Sequence, residues 1–205
     1  MEHLCEDMFF AALKDYQCEK YEASFEKFKK AAYKYIANSK YKDYAKYYLA
    51  LHYKLGKPIK NDKKAYELFN EVTRAQSDSK YKDYAKYHLA LHYKDIKNYK
   101  NAYDLFNQVA KSNSRYNDDA KYMLAKCYES GRGVGKDYKR AFDIYLDLLG
   151  GKSHYENSDK KYYNKELEDD VKFKLANCYS NGQGVAKDDN KAYQLYLDLS
   201  KSKKY

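Results

Sequence analysis

Residues 39–47 read SKYKDYAKY, and residues 79–87 read SKYKDYAKY again. LALHYK follows each copy, at 49–54 and 89–94, so the offset is 40 residues. An identity of this length arises by duplication. It restricts the chain to architectures that stack like units, because one unit of this size cannot bury its apolar face alone.

A looser pattern extends the repeat. Ala-x3-Leu-Ala-x2-Tyr occurs at Ala45, Leu49, Ala50 and Tyr53, and again at Ala85, Leu89, Ala90 and Tyr93. It recurs at Ala120, Leu124, Ala125 and Tyr128, and at Val171, Leu175, Ala176 and Tyr179. Spacings of four, five and eight fall on one helical face. A second helical segment opening with Ala follows each copy: Ala65-Tyr66-x-Leu68-Phe69, Ala102-Tyr103-x-Leu105-Phe106, Ala141-Phe142-x-Ile144-Tyr145 and Ala192-Tyr193-x-Leu195-Tyr196. A more divergent unit comes first, with one helix near Met8–Tyr16 and a second holding Tyr21, Ser24, Phe25, Phe28 and Ala31. The sequence thus predicts five helix pairs in one repeat domain over residues 1–205. The units run approximately 7–37, 40–75, 80–112, 115–150 and 166–200, with residues 151–165 as an inserted polar surface loop.

The connectors differ. Tyr93 to Ala102 is nine residues, a tight helix–turn–helix spacing, whereas Tyr128 to Ala141 and Tyr179 to Ala192 are thirteen. The longer connectors carry Gly131-Arg132-Gly133-Val134-Gly135-Lys136-Asp137 and Gly182-Gln183-Gly184-Val185-Ala186-Lys187-Asp188. A worn version, Gly56-Lys57-Pro58-Ile59-Lys60-Asn61-Asp62, lies in the second unit. This G-x-G-V-x-K-D pattern followed by Lys/Arg-Ala resembles the Sel1-like repeat, a branch of the tetratricopeptide-repeat superfamily, from about residue 40 onward; the third unit resembles a plain tetratricopeptide repeat. The resemblance implies an all-α, right-handed α/α solenoid that binds another protein and performs no catalysis. Physically, the glycines end the first helix at positive φ, Val tucks back onto the pair, and the Asp before the second helix is its expected N-cap.

Composition narrows the function classes. No stretch approaches the roughly 20 apolar residues that cross a bilayer, and the acidic start, Met1 to Asp7, is no secretory signal. Cys5, Cys18, Cys127 and Cys178 show no CxxC spacing and read as reduced thiols of a cytoplasmic protein. The bias toward Lys, Tyr, Asn and Asp fits an A+T-rich genome and is compatible with a viral or protist source. The formal net charge is +10, spread along the chain, which is weak evidence for a nucleic-acid surface.

Candidate chemistry is sparse. Lys136 sits in a glycine-rich stretch, but Ser130 and Asp137 stand where a phosphate-binding loop needs Gly and Ser or Thr. His88 and His92 are four apart without a third ligand nearby, and no metal or cofactor is expected. Cys127 and Cys178 share a repeat position and read as packing residues. Asp118-Asp119 and Asp169-Asp170 are expected just ahead of their first helices.

In tetratricopeptide-like solenoids the first helices line the concave groove. If this chain shares that geometry, the groove positions hold Tyr44 and Tyr47, Tyr84 and Tyr87, Tyr122 and Phe173, with Lys54, Lys94, Lys126 and Asn177 further along the face. Tyrosines give rigid contact area and lysines read acidic groups, so this set is the expected site for a partner protein or peptide. The alternative is that these rings only fill the space between neighbouring first helices. A different function, nucleic-acid association through a Tyr/Lys surface, would use the same residue types. The terminal units raise a further expectation, a homodimer through like ends. The last helix keeps the apolar set Tyr193, Leu195, Tyr196 and Leu199, and Met8, Phe9 and Phe10 cluster near the start.

Overall fold

A computed structural model describes residues 2–34, 40–75, 80–150 and 165–202. Ten helices run through them, accounting for 81% of these residues, and no strand occurs among them. They form five consecutive pairs: α1 (Glu2–Gln17) and α2 (Tyr21–Tyr33), α3 (Lys40–Leu55) and α4 (Asp62–Arg74), α5 (Lys80–Asp95) and α6 (Tyr99–Ala110), α7 (Asn117–Ser130) and α8 (Tyr138–Gly150), α9 (Lys165–Asn181) and α10 (Asp189–Ser202). Residues 151–164 of the expected insert lie outside the described residues. Helix α1 starts ahead of Met8 because Cys5, one turn earlier, is also a core position, fully buried with its thiol directed at the Ala31 carbonyl. No described helix is long and apolar enough to cross a membrane.

The chain divides into two compact units, Met1–His92 and Tyr93–Tyr205. In each, the motif residues are interior. Ala45, Leu49, Ala50, Ala85, Leu89 and Ala90 are buried in the first unit, and Ala120, Leu124, Ala125, Val171, Leu175 and Ala176 in the second. The motif Tyr has a defined neighbour, the aromatic ring one residue after the opening small residue of the preceding second helix. Phe25 meets Tyr53 at 5.3 Å, Tyr103 meets Tyr128 at 5.8 Å, and Phe142 meets Tyr179 at 5.5 Å, all edge to face. The divergent first pair obeys the same register, with Ser24 where the other second helices have Ala.

Ser24 explains a buried histidine. His52 is fully buried, one residue before the motif Tyr53, and faces Ser24 across the seam between pairs. Its Nδ1–H donates to the Lys57 carbonyl, so Nε2 is left as an acceptor and takes the Ser24 hydroxyl proton at 2.9 Å. The equivalent position holds His92, Cys127 and Cys178. Cys178 is buried in the second unit's core with Phe142, Tyr145 and Leu175, and all four cysteines are free thiols.

The glycine loops do two things. Gly131 and Gly182 turn the chain at φ +73° and +65° to end the first helix, as expected. The second glycine has a separate reason. A Cβ on Gly133 would stand 2.1 Å from the Tyr99 carbonyl oxygen, and one on Gly184 would stand 2.1 Å from that of Tyr138. Tyr99 and Tyr138 open the second helices of the preceding pairs, so these loops dock backbone to backbone on the pair before them. The residue between the glycines supports the contact: Arg132 lies over the Tyr99 ring at 5.1 Å. In the worn loop Lys57 lies over Tyr21 at 4.4 Å, and Tyr21 likewise opens a second helix. Val185 packs onto the core of the last two pairs.

Asp137 and Asp188 cap their helices, accepting from the Arg140 and Lys191 amides at 2.9 and 3.0 Å. In the worn loop Asn61 takes this role, accepting from Lys64 at 3.0 Å, and Asp62 is already helical. That connector is one residue shorter between Tyr and Ala, which moves the cap position from Asp to Asn. The acidic pairs also shift: Asp118 and Asp119 lie in the first turn of α7, and Asp169 and Asp170 lie one turn inside α9.

Candidate functional site

Within the first unit, the predicted face tyrosines divide by burial. Tyr47 and Tyr84 are 2% and 5% exposed, and Tyr44 and Tyr87 are half-buried. They belong to a continuous aromatic cluster. Tyr44 meets Tyr81 at 4.4 Å and Phe9 at 5.7 Å, and Tyr47 meets Tyr81 at 5.0 Å and Tyr84 at 5.8 Å. Tyr47 and Tyr84 are therefore interior side chains, and the packing alternative describes them. The duplication is the physical cause. It sets tyrosines at the same register on both neighbouring first helices, and rings that meet in that register pack edge-on and tilted rather than pointing outward.

Lys54 is held in the same cluster. Its ammonium donates to His88 Nδ1 at 3.3 Å, so His88 is neutral, carries its proton on Nε2 and donates to the Tyr47 hydroxyl at 3.3 Å. The His88 ring stacks on Phe69 at 5.0 Å, and His92 stacks on Tyr66 at 3.5 Å. Both histidines sit among aromatic rings, and no group of three potential metal ligands occurs among the described residues.

The second unit presents the equivalent face differently. Phe173 is 50% exposed, and its ring approaches Tyr196 of α10 at 6.1 Å. The Tyr196 hydroxyl donates to Asn177 Oδ1 at 2.6 Å. Tyr122 is half-buried; its hydroxyl bonds Asp170, and burial together with that carboxylate pushes its pKa up to about 12. Lys126 is exposed, with its ammonium 5.3 Å from the Tyr122 ring. Partial desolvation of its ammonium, then the charges of Lys174 and Lys94, hold its pKa below the usual lysine range, against the opposing pull of Asp170 and Glu129. Lys94 is half-buried and lies 3.7 Å from Asp95. Tyr122 and Lys126 thus lie on α7 and Phe173 and Asn177 on α9, two helices joined by the ion pair of Glu129 and Lys174.

Lys174 and Tyr145 meet on Glu129, a contact that the repeat spacing does not announce. Lys174 donates to both oxygens of Glu129 at 3.0 and 2.9 Å, and the Tyr145 hydroxyl donates to Glu129 at 3.1 Å. The departure itself is visible in the repeat register. Three residues after the motif's small residue stand Tyr48, His88, Met123 and Lys174. In the first unit this position stacks on the second-helix aromatic, Tyr48 on Phe28 at 5.0 Å and His88 on Phe69 at 5.0 Å. Lys174 replaces a ring with an ammonium, and Tyr145 replaces Phe with a phenol. Of the apolar set on α10, Leu199 is buried, whereas Tyr193 and Tyr196 are 62% and 37% exposed.

The family model described as Sel1 repeat matches residues 43–71, 118–146 and 170–197. The chain carries three Sel1 repeats. The matches fall on the second, fourth and fifth helix pairs and omit the third, whose connector lacks the glycine loop. Among solved structures, a protective antigen of uropathogenic Escherichia coli strains with an SLR fold aligns at a TM-score of 0.64 and 19% identity, over 88% of this chain and 34% of that one. A Sel1 repeat protein from Oxalobacter formigenes aligns at 0.63 and 20%, over 90% and 66%. A putative kinesin light chain of Podosopora anserina with nearly identical TPR-like repeats aligns at 0.59 and 17%, over all of both chains. The Sel1-like chain spans about a third of the E. coli protein. At these identities the likeness is one of fold: helical-repeat solenoids. No curated protein matches the sequence.

Proposed function

We propose that this Sel1-like protein is a non-enzymatic scaffold or adaptor that holds a segment of another protein against its first helices, within a reducing compartment, and so regulates a partner enzyme. Repeats of this fold commonly serve as protein-interaction scaffolds. The observation that carries the reading is the exposed ring pair of Phe173 and Tyr196, with the half-buried Asn177 amide taking the Tyr196 hydroxyl, in the same unit as the exposed Lys126. An exposed ring pair of this kind supplies rigid contact area, and the neighbouring lysines complement acidic groups on the segment. Tyr122, half-buried on α7 of the same unit, offers a ring edge to the segment.

The test is a peptide-display selection on the purified chain, with the enriched peptide then titrated calorimetrically. Phe173→Ala should weaken the selected peptide by more than about 1 kcal/mol with an unchanged melting curve. Equal affinity in the folded variant would move recognition off this face.

A further inference from the structure

The seams between consecutive pairs reuse three ring positions. The ring one residue after the opening small residue of a second helix meets the motif Tyr of the following first helix, as Phe25 meets Tyr53 and Phe142 meets Tyr179. The ring three residues further on receives the side chain that stands five before that Tyr: Tyr48 stacks on Phe28 and His88 on Phe69. Phe28, Phe69, Phe106 and Tyr145 are all completely buried at this position. On the first helix, the residue two after the motif's small residue adds a third contact, as Tyr47 does with Tyr81 and Tyr84 of α5. The last pair carries all three positions as Tyr193, Tyr196 and Phe173, and all three are exposed. Phe173 approaches Tyr196 at 6.1 Å, and Ala192 and Leu199 beside them are buried. Helix α10 is therefore seated on its pair as the other second helices are, and it presents outward the rings that elsewhere are covered by a helix.

We propose that the outer face of α9 and α10 receives an amphipathic helix of a partner protein, in the register by which a first helix covers the same positions at the earlier seams. The inference rests on the interaction reading above and names the segment more closely. The helices that cover these positions elsewhere read Ala45-x2-Tyr48-x4-Tyr53 and Ala85-x2-His88-x4-Tyr93. The partner helix accordingly carries a small residue, a ring three residues later and a second ring five residues after that. The first ring seats on Tyr196, the second meets Tyr193, and Phe173 packs on the helix flank as Tyr47 does on α5. The small residue lets the two helices approach closely. Rings five residues apart are separated by about 7.5 Å along a helix but about 16 Å along a strand. Tyr193 and Tyr196 are about 4.5 Å apart along α10, so a helix brings both of its rings onto them and an extended segment with that spacing does not.

The experiment titrates 15N-labelled protein with a lactam-stapled peptide of residues 40–55, which carries the Ala45, Tyr48 and Tyr53 spacing, and with its Ala50→Pro form. The staple is needed because a free helix of this length is marginal in water. The stapled peptide should shift backbone amides of α9 and α10, and the proline form should not bind. Tyr193→Ala should weaken the stapled peptide about fivefold or more, the range of one lost aromatic pair. Tyr196→Phe keeps the ring and loses only the bond to Asn177, so it should bind as the wild type does, as should Leu146→Ala on the exposed side of α8. Melting curves establish that each variant is folded. Equal affinity in Tyr193→Ala overturns the proposal, as does equal binding of the proline form. Shifts confined to the first unit would mean that the peptide replaces its own helix there, and they overturn it too. A dimer in sedimentation equilibrium that Tyr193→Ala abolishes would assign the face to a second copy of this chain and contradict the partner helix. If a display-selected peptide loses affinity with Phe173→Ala but tolerates proline throughout its length, the helical inference fails while the interaction reading stands.

Discussion

The two compact units of this Sel1-like protein use one repeat position in opposite ways. In the first unit, Tyr48 and His88 close their seams by stacking on Phe28 and Phe69, and the face tyrosines Tyr47 and Tyr84 sink into the same cluster. In the second, Lys174 at the equivalent position joins Glu129 and Tyr145 in a charged network, and Phe173 stays exposed. The same backbone register supports both. A ring in the seam buys stability by excluding water, whereas an ammonium must keep a carboxylate and some water nearby, which leaves that surface open to a ligand.

The sharpest way to break the comparison is to truncate one aromatic in each unit. Tyr47→Ala removes a fully packed ring and should cost about 3 kcal/mol or more, whereas Phe173→Ala should stay within about 0.5 kcal/mol, both read by urea unfolding. Similar losses at the two sites would mean that the units do not differ as described. Leu89→Asp and Leu175→Asp, by contrast, should each cost several kcal/mol on the order of an unpaired buried charge, because the motif Leu is interior in both units.

Gly184→Ala comes next. The added Cβ would meet the Tyr138 carbonyl and would also hold a side chain at φ +74°, so a loss of about 2 kcal/mol is expected. Gly135→Ala, where a Cβ meets nothing within 4 Å, is the matched control and should be nearly neutral. A neutral Gly184→Ala would remove the case that the loop docks on the preceding pair.

The smallest effect is a pH dependence. Burial holds His52 below the ordinary histidine range, and the hydrogen bond that Nε2 accepts from the Ser24 hydroxyl requires the neutral ring. The unfolded chain takes up a proton at this residue near the ordinary pKa of about 6.5, whereas the folded chain does not. Its stabilisation is therefore complete above that value and declines as pH falls below it. Between pH 7.5 and 5.5 the loss should approach about 1 kcal/mol, and His52→Gln should flatten the dependence. An unchanged slope in that variant would assign the acid sensitivity to other groups.

Much of the fold could be read in the sequence because the physics behind it is local and repeated. The Ala, Leu and Tyr spacings define helical faces, and the glycine loops mark where first helices stop. Two things were not legible. One was the role of Gly133 and Gly184, because a close approach to a carbonyl of the preceding pair is a three-dimensional fact with no mark in its own loop. The other was the division of the tyrosines into interior and surface sets. Tyr47 and Phe173 occupy related positions, and only the neighbours across each seam decide which ring is covered. Lys174 was visible as a departure from Tyr48 and His88, yet a departure names no partner until Glu129 and Tyr145 are seen beside it.

The account's central claim is that recognition uses the open face of the second unit and not the aromatic cluster of the first. Calorimetric titration of a display-selected peptide into three folded variants tests it most directly. Phe173→Ala should weaken binding by more than about 1 kcal/mol. Lys126→Gln should weaken it by a smaller, salt-dependent amount, and Tyr47→Phe, which keeps the packed ring, should leave it unchanged. Full affinity in Phe173→Ala together with a loss in Tyr47→Phe would place recognition in the first unit and contradict the claim.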